Sequence, residues 1–147
     1  MSNSLTIKNS QQVDSQLVKD AHFIREMVFV NEQGVPLELE YDGTDNEATH
    51  FVGYVDQTPV VTARVTITAQ GAHIQRVATL KQFRRHGYAR ELLLALMDTV
   101  STQFTEEIFY LDAQLTAIPF YETLGFQTVG TVFMDAGIQH KKMIKTN

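Results

Sequence analysis

The chain contains no cysteine. Disulfides, thiolate nucleophiles and zinc–thiolate centres are therefore excluded, and any covalent mechanism would have to use serine or another nucleophile. No apolar run is long enough to cross a bilayer. The start, MSNSLTIKNSQQVD, has neither a basic segment leading into a long apolar stretch nor an arginine-rich amphipathic pattern. No export or transit signal is visible in it, and the cytoplasm is the expected compartment. Excess positive charge is missing as well: the formal net charge of −5 opposes broad attraction to nucleic-acid phosphates or anionic membranes. Neither partner is expected. Repeats and low-complexity tracts are also absent. What remains is 147 residues, 44% of them apolar, enough to bury a real core, so one domain over residues 1–147 is expected.

Hydrophobic periodicity and turn residues give the element order β-α-β-β-β-α-β-α-β-β. SLTIKN reads as a short strand, and SQQVDSQLVKDAHFIREMVFVNEQG as a helix with Val13, Leu17, Ala21, Ile24 and Val28 roughly on one face, closed by Gly34 and Pro36. LELEYDGTDNEA is acidic and turn-rich, a loop of about a dozen residues. THFVGYV, PVVTARVTIT and HIQRVATL predict an antiparallel meander. A helix over residues 87–101 follows, then the strand IFYLDA, the short helix AIPFYETL ended by Gly125, and strands around FQTVGTVF and IQHKKMI. The acidic loop lacks the spacing of a calcium loop, and His22, His73 and His86 show no metal spacing with a carboxylate, so no metal is expected.

The junction between the third meander strand and the second helix holds the local basic cluster Lys81, Arg84, Arg85, His86 and Arg90. A helix N-terminus carries unpaired N–H groups and a partial positive charge, and so favours phosphate. Gly87 allows close backbone approach, Ala89 keeps the next contact small, and the arginines add charge suited to a pyrophosphate. The segment is neither a P-loop nor a dinucleotide fingerprint. In isolation, R-x-x-G-x-A is equally what a glycine turn with solvated arginines looks like.

Four segments, taken together, resemble one family. RVATLKQFRRHGYARELL resembles the acyl-CoA-binding motif of the GNAT superfamily of N-acetyltransferases, [Q/R]-x-x-G-x-[G/A] after a strand. LDAQLTAIPFYETLGF resembles the second motif of that superfamily, a strand followed by A-x-x-F-Y-x-x-x-G-F. VFVNEQGVPLELEYDGTDNEATHFV and FMDAGIQHKKM look like its small YjcF-like branch, so the resemblance spans nearly the whole chain. It implies an α+β fold of mixed character: a mostly antiparallel central sheet, one splayed parallel strand pair, and flanking helices.

The resemblance also implies a site. Backbone groups of Val77, Ala78 and Thr79 would hold the acetyl group and pantetheine of acetyl-CoA, one of their N–H groups facing the thioester carbonyl. Arg84, Arg85, His86, Gly87, Tyr88 and Ala89 would ring the pyrophosphate. Arg85 stands where many members have glycine. Tyr121 corresponds to the tyrosine that protonates the leaving thiolate in many GNAT enzymes, a role its ordinary pKa near 10 permits. Glu32, where the first helix turns toward the cleft, is the leading candidate for the base, with an ordinary helix-end carboxylate as the alternative. Glu38, Glu40, Asp42, Asp45 and Glu47 either attract a cationic substrate or are simply solvated. His50 and His140 either shuttle a proton or bind substrate, or else satisfy buried hydrogen bonds. Arg25, Arg64 and Gln114 are candidates for contacts to substrate, with ordinary surface or strand-end placement as the alternative.

Two functions fit the resemblance. One is direct transfer of acetyl from acetyl-CoA to a primary amine in a ternary complex, which the missing cysteine favours. The other is a CoA-sensing or interaction module with little activity. The acceptor is not legible, nor is the oligomeric state, with which a homodimer is compatible.

Overall fold

The computed structural model describes residues 4–105 and 107–146. Seven strands form one sheet in the order β1-β2-β3-β4-β5-β7-β6. They are β1 (Thr6–Ser10), β2 (Thr49–Val55), β3 (Thr58–Thr68), β4 (Gly71–Thr79), β5 (Ile108–Gln114), β6 (Gln127–Asp135) and β7 (Ile138–Thr146). All neighbours are antiparallel except β4 and β5. The parallel pair meets only at Ala72 opposite Phe109 and His73 opposite Tyr110. Beyond that point both strands continue without pairing, to Thr79 and Gln114, and the sheet opens into a wedge.

Two layers of helix cover the sheet. On one face α3 (Tyr88–Gln103) buries Leu92, Leu93, Leu96, Met97 and Val100 against Phe51, Val65, Phe109 and Leu111, with α4 (Ile118–Thr123) closing the end through Tyr121. On the other face α1 (Gln16–Arg25) lays Ala21 and Ile24 on Val52, Ala78 and Leu80. Recurrence of buried residues at three and four positions is the signature of a helix with one apolar stripe. Ser15 caps α1 by accepting from the Val18 N–H at 3.3 Å. The helix expected to run unbroken to Gly34 instead changes to π winding over Glu26–Glu32. Over seven residues, apolar spacing does not distinguish the two windings, so the sequence carries no sign of the change. Among the described residues, no helix is long and apolar enough to cross a membrane.

One irregularity in β4 positions everything that follows. Thr62 stands opposite Ala78 and Arg64 opposite Gln75, so β4 carries one residue more than β3 across this stretch. Such a bulge shifts side-chain alternation by one. Accordingly Ile74 packs in the core beneath α3, whereas Ala78, an even number of residues later, packs beneath α1. Arg76, inside the bulge, has φ of +56°.

The acidic segment between α1 and β2 is not an irregular, wholly solvated loop, although Glu38 and Glu47 are exposed. It forms the short helix α2 (Leu37–Glu40) and a single 3-10 turn at Asp45–Glu47, and it turns three carboxylates onto three arginines. Arg25 Nε donates to Glu40 at 2.6 Å and its Nη1 to Asp45 at 2.9 Å. Arg64 donates to the same Asp45 oxygen at 2.8 Å and to Asp42 at 2.8 Å. Arg76 lies 3.0 Å from Glu40 and 3.2 Å from Asp42. His22 meets the second Asp45 oxygen at 3.0 Å, and Tyr41 donates to Glu26. Buried carboxylates pair because an unpaired charge away from water is costly. Of the two alternatives for the five acids, Glu38 and Glu47 are exposed to solvent, whereas Glu40, Asp42 and Asp45 fit neither alternative, since arginines already occupy them.

Burial opposes the charge on Asp45, but hydrogen bonds from His22, Arg25 and Arg64 outweigh it and hold the pKa far below the usual carboxylate range. A depressed folded-state pKa contributes stability that is complete above the unfolded value and is lost as pH falls toward the folded one. Asp45→Asn should lower the unfolding free energy by about 3 kcal/mol at neutral pH, measured by urea titration. The gap between parent and variant should narrow below about pH 4, where the unfolded carboxyl protonates. A gap unchanged into acid would show that the Asp45 charge is not what stabilises the fold.

Candidate active site

The opening between β4 and β5 is a cleft of about 390 Å³. Ile74 to Val77 form one wall, and Leu111, Asp112 and Gln114 form the other. Phe29, Gln33, Glu40 and Asp42 close one side, while Ala136, Ile138 and His140 of the β6–β7 turn and β7 close the opposite side. Tyr121 faces it from α4. Parallel strands that stop pairing leave bare main-chain groups at the opening, which suits an extended, amide-containing ligand arm.

The β4 wall leads directly to a second feature. After Thr79 the chain makes a 3-10 turn at Lys81–Phe83 and enters α3 through Gly87, whose φ of +78° is left-handed. Among the described residues no side chain caps the first turn of α3, and, its chain neighbours aside, none comes within 4 Å of where a Gly87 Cβ would stand. Four backbone N–H groups at such an end lack intrahelical partners. Arg85 also holds a left-handed φ, +69°, a conformation that glycine takes freely and arginine does not. His86 stacks on Tyr88 with centroids 5.4 Å apart, Tyr88 is buried under the helix, and Ala89 packs partly against the core.

Arg84 is committed to a neighbour. Its Nε donates to the Thr79 carbonyl at 3.0 Å, and its two terminal nitrogens each lie 2.7 Å from an oxygen of Glu32. The hydrogen-bonded guanidinium lowers the proton affinity of Glu32, and Glu32 is not among the residues lining the cleft. Both facts argue against Glu32 as the base. The adjacent Gln33 accepts from Gln114 Nε2 at 3.0 Å, so residues 32 and 33 fasten the end of the π turn to the loop that precedes α3 and to the end of β5.

Of the residues expected to meet substrate, Gln114 and His140 line the cleft, whereas Arg25, His50 and Arg64 do not. Arg25 and Arg64 are 1% exposed, held in the ion array beneath the cleft wall. His50 is fully buried with Nε2 3.1 Å from the Asp45 carbonyl, and burial lowers its pKa. These three lie away from the cleft, facing groups of the protein's own chain. His140 differs. Its Nδ1 lies 2.7 Å from the Ile138 carbonyl, which can only accept, so in the neutral ring the proton sits on Nδ1 and the Nε2 lone pair is left to accept.

Tyr121 is 7% exposed, edge-on to Phe120 and Phe126 at 5.1 and 6.0 Å, and burial raises its pKa above the ordinary phenol value. Its proton is retained at any neutral pH. Arg76, His73 and Phe29 also line the cleft, although no role for them at a ligand was expected from sequence. Nothing in their spacing marks them. His73 stacks on Tyr110 at 4.4 Å, its Nε2 is buried without a hydrogen bond among the described residues, and burial lowers its pKa.

Comparison with known proteins places the chain. The model of the acetyltransferase (GNAT) domain matches residues 10–147. YjcF, an uncharacterized N-acetyltransferase of Bacillus subtilis strain 168, is 36% identical over 139 residues, covering 94% of this chain and 95% of the relative. The crystal structure of a candidate N-acetyltransferase from Lactobacillus plantarum superposes with a TM-score of 0.88 at 29% identity, covering 98% of this chain and 99% of that one. An acyl-CoA N-acyltransferase from Pseudomonas aeruginosa shares the fold, with a TM-score of 0.86 at 24% identity over 97% of this chain and all of that chain.

The state of Tyr121 is open to a direct check. Spectrophotometric titration of the phenols in the parent and in Tyr121→Phe should give superimposable curves up to about pH 11, because the phenol removed is one that does not ionise there. A curve for the variant lacking one phenol between about pH 9 and 11 would show Tyr121 to be solvated.

Proposed function

The chain belongs to the GNAT acetyltransferase family, and from that premise we propose that it transfers acetyl from acetyl-CoA to a primary amine by direct attack in a ternary complex. The observation that carries this reading is the wedge between β4 and β5, bulged at Arg76 and Val77 and continued into the uncapped, left-handed start of α3. In this reading the pantetheine arm lies in the wedge against the main chain of Val77, Ala78 and Thr79. The pyrophosphate lies against the N–H groups at Gly87, Tyr88 and Ala89, within the basic rim of Arg84, Arg85 and His86.

The chemistry follows from the cleft residues. The amine nitrogen forms a bond to the thioester carbonyl carbon, and the oxygen that gains charge is met by the Val77 N–H. Collapse breaks the carbon–sulfur bond, and the sulfur takes a proton from Tyr121. The proton released by the amine nitrogen passes to His140 Nε2 and from there to solvent, while Tyr121 is reprotonated from solvent, so the balance is amine plus acetyl-CoA to amide plus CoA thiol. His140 replaces Glu32 as the proton acceptor in this scheme, because a neutral ring with its proton on Nδ1 can accept at Nε2 and His140 lines the cleft. Gln114 and Gln33 offer amide groups to the acceptor or to pantetheine from the end of β5. The cytoplasm, with its acetyl-CoA supply, is the compartment this activity requires.

Acetyl-CoA binding measured by calorimetry should be abolished in Gly87→Glu, which sets a carboxylate where the phosphates lie. Gly87→Asn, whose side chain tolerates the left-handed conformation, should bind within an order of magnitude of the parent. Equal binding by all three folded proteins would remove the pyrophosphate from this loop. A screen over amine classes for consumption of acetyl-CoA supplies the acceptor, and binding without any consumption would mark a CoA-binding module instead.

With an acceptor in hand, Tyr121→Phe should lower kcat by about 10²-fold with little change in acetyl-CoA affinity. His140→Gln should move the acidic limb of the rate profile to higher pH, where free amine needs no base. Glu32→Gln should leave that limb in place and tighten acetyl-CoA binding at low salt by freeing Arg84. The opposite pattern, a profile that shifts with Glu32 and not with His140, would return the base to Glu32.

A further inference from the structure

Arg76 occupies an unfavourable backbone position in the cleft wall. Its φ of +56° lies in a region that a long L side chain adopts only when its surroundings impose it. Glycine would take that conformation without strain. Neither Arg76 nor Val77 has a register partner on β3, so the ladder does not fix the peptide unit between them. That unit carries the Val77 N–H, and its orientation depends on the backbone of Arg76.

The constraint comes from the side chain. Nη2 of Arg76 donates to the Glu40 carbonyl at 3.2 Å, to Asp42 Oδ2 at 3.2 Å and, at greater length, to the Leu39 carbonyl at 3.4 Å. Nε lies 3.0 Å from Glu40 Oε2, an ion-pair contact without hydrogen-bond alignment. The other Glu40 oxygen accepts from Arg25 Nε at 2.6 Å. A line of alternating charge therefore runs from α1, through Glu40, to the bulge. Planar guanidinium groups hold such a geometry better than a lysine, which presents one compact charge on a flexible stem.

We propose that Arg76 is a positioning residue for acyl transfer: anchored on Glu40 and Asp42, it fixes the β4 bulge so that the Val77 N–H stays on the thioester carbonyl. The proposal rests on the reading that acetyl-CoA lies in this cleft with its carbonyl at Val77. A donor aimed at the carbonyl oxygen acts most strongly as negative charge develops there, so misplacing it affects the rate far more than the affinity. Arg76 touches neither donor nor acceptor in this scheme. It acts through the peptide that follows it.

The test reads the carbonyl itself and needs no acceptor. Infrared difference spectra of acetyl-CoA labelled with 13C at the thioester carbonyl should show a band at lower frequency when bound to the parent than when free, as a hydrogen-bonded carbonyl requires. Because Arg76→Gly alone leaves Glu40 short of one partner, the decisive protein is Arg76→Gly/Glu40→Gln, which removes both charges and leaves the bulge its easiest backbone. It should fold, bind acetyl-CoA with affinity of the same order as the parent, and lose the downshift. Arg76→Lys should recover part of it. With an identified amine, the double variant should lose on the order of 10²-fold in kcat at nearly unchanged KM for acetyl-CoA. A downshift kept in full by the double variant overturns the role of Arg76 while leaving the site intact. A parent spectrum with no downshift overturns the placement of the carbonyl at Val77, and the proposal with it.

Discussion

The Glu40 carboxylate, 2% exposed, sits between the guanidinium of Arg25 on one oxygen and that of Arg76 on the other. A carboxylate so buried is tolerable only because both oxygens face positive charge. Asp45 holds Arg25 and Arg64 together on one oxygen with His22 on the other, and Asp42 holds Arg64 and Arg76 on a single oxygen. Three acids from one short segment thereby fasten three arginines from α1, β3 and β4. Burial works against the charge of Asp42, yet hydrogen bonds from Arg64 and Thr44 bring its pKa down to about 2. Asp42 and Asp45 are thereby held in their charged form, and the array sets one wall of the cleft.

What the array holds is a departure from regular sheet. A parallel pair that kept its register along β4 and β5 would leave no room for a ligand. Here pairing stops after His73 and Tyr110, and the bulge at Arg76 turns β4 from one core to the other. The interior of the sheet resists this, because a missing ladder and a left-handed arginine both cost stability. Cross-bracing by ion pairs on one side, and by α3 packed on the other, offsets the cost. Tyr121, its phenol kept protonated by burial, and His140 line the wedge opened in this way.

Much of the fold is legible in the sequence, because its signals are local. THFVGYV marks β2 residue for residue, and Gly87 stands immediately before the first residue of α3, as the junction motif requires. The splayed parallel pair came from the family resemblance, and the comparisons agree with that fold. The unread features are those made by contacts distant in sequence. Nothing in LELEYDGTDNEA shows that its carboxylates will meet Arg25, Arg64 and Arg76, so a buried array looked like a solvated loop. Glu32 resembled a base because its partner, Arg84, lies 52 residues away. Arg76 carries no turn signature, since left-handed positions are usually announced by glycine or asparagine. Tyr121, Gln114 and His140, each of which the sequence leaves with a purely structural alternative, line the cleft.

The central claim is that one ligand spans the wedge and the start of α3, touching main chain at both ends. Amide hydrogen exchange, followed by mass spectrometry with and without acetyl-CoA, tests it most directly. The account predicts added protection in two separate peptides, one containing Val77 to Thr79 and the other Gly87 to Glu91, with β1 and β2 unchanged. Protection confined to the second peptide, or appearing on β1 and β2 instead, would contradict it.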